Sequence, residues 1–136
     1  LAVDVVAAVA DRLEAAQSAR TVYRYAVPDG PLPDCYLLVS GNVGETTSSN
    51  MGGLADRRDA QVDVKSVAIH PDPLAASRMA GTGAAIVVDA LTDWRAVLGR
   101  ATWLPDHIAS HGPTRDESLP EPVYQAVERY VFAYQP

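Results

Sequence analysis

Residues 59–69 read Asp-Ala-Gln-Val-Asp-Val-Lys-Ser-Val-Ala-Ile. They place Ala60, Val62, Val64 and Ser66 on one side and Gln61, Asp63, Lys65 and Val67 on the other. Strict alternation is the period of a strand, and one apolar side with one polar side marks a half-buried antiparallel strand. Upstream, Asp34 to Ser40 is a nearly continuous apolar run of strand length, expected to lie centrally in the sheet and to stop at Gly41. The two are expected to pair as a long hairpin. Between them, residues 41–58 (GNVGETTSSNMGGLADRR) hold few core-forming side chains and read as a long polar loop, well beyond the usual 4 to 6 residues.

Outward from this hairpin, Val3, Val6, Ala7, Ala10 and Leu13 recur at helical spacing, which predicts an amphipathic helix from Val3 to about Ser18. Thr21–Val27 is β-branched and aromatic and ends at Pro28-Asp29-Gly30-Pro31, giving a strand and a turn. After His70-Pro-Asp-Pro73, Asp72 is placed to cap a helix and Pro73 to occupy its first turn. Ala75, Met79, Gly83, Ile86 and Ala90 mark its buried stripe, with Gly81 and Gly83 inviting close backbone packing. Trp94, Val97 and Leu98 extend the apolar pattern. Residues 100–108 are expected to form a strand broken by Pro105, and residues 123–134 a long strand, with a helix as its rival. The fold class is therefore α+β: a mainly antiparallel sheet with an N-terminal and a central helix packed on it. Residues 1–136 are read as a single domain.

Eleven Lys and Arg against seventeen Asp and Glu give a formal charge of −6, which disfavours stable wrapping of nucleic acid. The lone Cys35 reads as a small buried hydrophobe, chemically inert, in a protein of a reducing cytoplasm. No stretch approaches the roughly 20 apolar residues of a membrane span, and the first ten residues read as helix rather than signal peptide.

Chemistry-bearing patterns are weak. His107 and His111 stand four apart, but Pro105 and Gly112-Pro113 argue against a helix, and they read as solvated loop histidines rather than metal ligands. Gly41-Asn-Val-Gly44 lacks the lysine of a phosphate loop, and no nucleophile elbow is present. No catalytic residue, cofactor or metal is expected. The candidate site is instead a protein interface: Asn50, Met51 and the mixed-charge run Asp56, Arg57, Arg58 and Asp59.

The segments VYRYAVPDGPLPDCYLLVSG, RRDAQVDVKSVA, VVDALTDW and VYQAVERYVFAY, in this order, resemble the tail terminator proteins of long-tailed bacteriophages over nearly the whole chain. The resemblance implies a small α+β fold and a homo-hexameric ring closing the head-proximal end of the tail tube. It implies contacts with the tail tube protein and a head-closure or neck connector protein, DNA passing transiently through the lumen, and no membrane. It further implies assembly in the host cytoplasm and residence in the virion, with no enzymatic activity. A connector or neck adaptor of the same particle would share these features, and a small enzyme or ligand-binding domain is the alternative of a different class.

Overall fold

The computed structural model describes residues 4–48 and 56–136, with 42–48 and 56 described in backbone only. The elements are α1 (Val5–Ala16), β1 (Thr21–Arg24), β2 (Cys35–Ser48), β3 (Asp56–Ile69), α2 (Pro73–Leu91), β4 (Ala101–Thr102), β5 (Asp106–Arg115) and β6 (Val123–Gln135). The sheet runs β1-β2-β3-β6-β4, with β5 sharing the β6 edge beside β4, and every pairing is antiparallel except β1 with β2. This is the α+β architecture expected. β4 and β5 act as one edge strand interrupted at Pro105, because proline has no N–H to donate to the ladder.

The alternation of residues 59–69 fixes which face is inside. Ala60, Val62, Val64 and Ser66 are buried, as expected, and the first three pack with Leu37, Val39, Tyr130 and Phe132 beneath the two helices. Each large side chain removed from water here stabilises the fold by roughly 1.5–3 kcal/mol before entropy is counted. On the opposite face, Tyr36, Val67 and Val123 form a smaller cluster with Tyr23, Val27 and Leu32, so the chain between β1 and β2 covers one end of that face. β2 is thus buried on both sides over its apolar run.

Several expectations are corrected. β2 does not stop at Gly41: its backbone pairs with β3 as far as Ser48 opposite Asp56, with a register shift between Val43 and Thr46. Residues 41–48 and 56–58 are strand rather than loop, since backbone pairing needs no apolar side chains. β1 ends at Arg24 rather than Val27, because Tyr25 takes a positive φ of 68° and its hydroxyl donates to the Asp4 carboxylate. The buried stripe of α1 is Val5, Val6, Val9, Ala10 and Leu13, with Ala7 only half-buried. In α2 the Asp72 cap holds, its carboxylate accepting from the Leu74 N–H at 3.2 Å, but the buried face is rotated to Ala76, Ala80, Gly83, Ala84, Val87, Ala90 and Leu91. Ala75, Met79 and Ile86 are half-buried.

Small residues let α2 approach the sheet. A Cβ at Gly83 would run into Ser66 Oγ, whereas one at Gly81 would meet Pro113 at an ordinary 3.6 Å. At 19 residues, α2 is long and apolar enough to cross a membrane by length and composition, contrary to the sequence expectation, a test that a packed core helix also passes. The rival helix at residues 123–134 is replaced by strand β6, and the segment after α2 is not helical: Leu98 is buried and Val97 is 95% exposed. Cys35 is half-buried rather than buried, because it stands at the first position of β2.

Candidate assembly surface

The outer sheet face is open at the end opposite the small cluster, and its side chains follow from register. Asp59 faces Ala133, and the N–H of Trp103 donates to the Ala133 carbonyl at 3.0 Å, so β3, β6 and the start of the β4–β5 link lie in a row. Ala133 is too small to separate its neighbours. The guanidinium of Arg57 therefore reaches over it to stand 5.5 Å from the Trp103 ring centre, while its Nε donates to Asp59 at 2.9 Å. Arg57, Arg95, Trp103, Leu104, Asp106, Val131 and Ala133 line a cleft of about 360 Å³. Further along the same face, Arg129 donates twice to Asp63, at 2.7 and 3.0 Å, from directly opposed positions. The Asp63 carboxylate holds the Arg129 guanidinium above its ordinary pKa.

The segment beside the cleft is fixed in place. Gly99 has a φ of 58°, and a Cβ there would meet the Gln135 carbonyl oxygen, so glycine is needed for the turn to fold back on β6. The Thr102 hydroxyl accepts from the Leu98 N–H and donates to the Leu98 carbonyl, both at 3.0 Å. Apolar surface concentrates along this edge, with Val97, Trp103, Leu104 and Ile108 all large and exposed.

A second polar group lies on the helix-covered face. Glu128 is only 4% exposed, and its carboxylate accepts from Ser110 Oγ at 2.7 Å and meets His107 Nε2 at 2.6 Å. The His107 ring stacks on Tyr130 with centres 4.6 Å apart, and burial raises the Tyr130 phenol pKa. His107 is therefore not a solvated loop residue, because β5 pairing delivers it to the one buried carboxylate of β6. His111 is exposed in the same strand. Ser110 Oγ and His107 Nε2 both bond to Glu128 and not to each other, so the Ser110 hydroxyl is not prepared for attack as it is in a Ser-His-Asp relay. The group clamps β5 to β6. Among the described residues, no three His, Cys, Asp or Glu side chains gather as a metal site would require.

No protein-family model matches the chain, and no curated protein does. In three dimensions it is similar to a chain from a structure titled "Virion of native gene transfer agent (GTA) particle", with a TM-score of 0.70 and 18% sequence identity, over 97% of this chain and 95% of that one. The fold is shared with a virion chain. The coverage on both sides means that the likeness takes in the helices and the whole sheet, not one motif.

Of the residues expected at an interface, Arg57 and Asp59 are joined on the open face. Arg58 stands opposite the buried Tyr134 and points to the other side of β3 by strand alternation. Asp56 opens β3 opposite Ser48, and Asn50 and Met51 lie outside the described residues. Sequence reasoning missed Trp103 and Arg95 in the cleft. The signal that was present is the exposed-type pairing of Trp103 and Leu104 just before a strand-breaking proline.

Proposed function

We propose that this chain is a structural, non-enzymatic subunit of a phage-like virion. In this reading it assembles as a homo-hexameric ring at the head-proximal end of the tail tube. The ring meets the tail tube protein on one side and a neck connector protein on the other, and DNA passes through its lumen. The observation that carries the reading is the near-complete fold likeness to a virion chain. The charge of −6 supports it, since an acidic lumen repels phosphates and lets DNA pass without being gripped. The interface is proposed to include Asn50, Met51, Asp56, Arg57, Arg58 and Asp59, with a heterologous contact closing the ring.

Negative-stain imaging of the purified protein, together with reconstruction of the particle that carries it, tests the proposal. Six-fold rings at the junction of tail and neck are expected. A different symmetry would overturn the hexamer, and a position on the portal side would favour the connector reading.

A further inference from the structure

The cleft at Trp103 has the composition of an interface anchor. Tryptophan and arginine dominate the few residues that carry binding energy, above all when a rigid frame holds them in place. Here Trp103 is 44% and Leu104 49% exposed, yet the Gly99 turn and the Thr102 hydroxyl hold the flanking chain. Arg95 is exposed and has no ion-pair partner among the described residues, whereas Arg57 is already stacked and paired. The outer side of β5, which begins at the cleft, has no strand beside it among the described residues.

Charge indicates the occupant. Arg57 and Arg95 line the cleft with Asp106, a small local excess of positive charge, while the rest of the chain carries nine Lys and Arg against sixteen Asp and Glu. A surface of this kind repels little of its own chain's remaining surface and attracts most of it. We infer that the Trp103–Leu104–Arg95 cleft is the socket for a second copy of this chain, which inserts a carboxylate-bearing segment between Arg57 and Arg95 against the Trp103 ring. This rests on the reading of the chain as a self-assembling subunit, and it gives that assembly its anchor.

Sedimentation velocity over a range of protein and salt concentrations tests the inference on the full chain, with Trp103→Ala, Arg95→Glu and, at the far end of β5, Arg115→Glu. Self-association is expected to weaken about tenfold or more for the first two, to weaken with salt in the wild type, and to persist in R115E. Emission from Trp103 is expected to move to shorter wavelength as the wild type associates, against the half-buried Trp94. Where Trp103→Ala fails to fold, Arg95→Glu decides, since that side chain is exposed and has no ion-pair partner among the described residues. Wild-type assembly that both variants retain would overturn the socket and leave the ring standing. A wild type that remains monomeric at every concentration would overturn both.

Discussion

The two faces of the sheet are built from the same three central strands and differ in what their polar groups are asked to do. On the helix-covered face, Leu37, Val39, Val64, Tyr130 and Phe132 are fully buried, and Glu128, the one buried charged residue among the described residues, has two partners. On the open face, at the end beyond the small cluster, polar side chains pair in half-exposed positions, Arg57 with Asp59 and Arg129 with Asp63. A buried polar group left without a partner costs its full desolvation, while a solvated one returns to water. The first face therefore specifies the fold, and the second is free to be used by a partner.

The largest expected difference is in apolar truncation. Phe132→Ala should lose about 3–5 kcal/mol of unfolding free energy, read from denaturant titration, because it removes a fully buried ring and leaves a cavity. Leu104→Ala, on the exposed edge, should change stability by under about 0.5 kcal/mol. Equal losses would mean that the cleft belongs to the core.

Next comes the Glu128 clamp. His107→Ala should cost about 1–3 kcal/mol, since it leaves a buried carboxylate with Ser110 alone. The double variant with Glu128→Leu should cost less than the two single changes combined, because no buried charge remains. Strict additivity in that cycle would show that the two side chains do not support each other.

How much of this was legible follows from the kind of signal each part carries. The inner face of β3 was readable because alternation is strict from Ala60 to Ser66, and the start of α2 was readable from Asp72 and Pro73. The buried side of α2 was not, because its apolar residues surround most of the helix, and it is the alanines and Gly83 that allow close approach. The far parts of β2 and β3 were hidden because backbone pairing sets them, with no hydrophobic period to read. At the candidate surface, Arg57 and Asp59 are near in sequence and were noticed together. Trp103 reaches Arg57 only through β6, and His107 reaches Glu128 only through β5 pairing, contacts that need the sheet order first.

A smaller effect, of informative sign, belongs to the helix contact. Gly83→Ala should destabilise by about 1–3 kcal/mol through overpacking against Ser66, despite the better helix propensity of alanine. The Ser66 hydroxyl is buried and has no hydrogen-bond partner among the described residues, so Ser66→Ala should be neutral or stabilising. Combining the two should relieve the overpacking. Thermal denaturation of the three variants checks this, and a Gly83→Ala protein as stable as the wild type would show that α2 can shift away from the sheet at no cost.

The smallest effect is expected from the open-face pair Arg129–Asp63. Its geometry is good, with two donors from one guanidinium to one carboxylate at opposed positions of neighbouring strands, yet the side chains retain 36% and 29% of their exposure. Water and salt therefore screen the attraction, and the free side chains regain rotamer entropy when the pair is broken. A cycle of Arg129→Ala and Asp63→Ala should give a coupling of about 0.2–1 kcal/mol that shrinks as salt is raised. A coupling of several kcal/mol, insensitive to salt, would mean that the pair is shielded from water in the measured state. In a monomer that would make the open face a second structural face, whereas in an assembled sample the same result, appearing only on association, would mark Asp63 and Arg129 as covered by the neighbouring subunit.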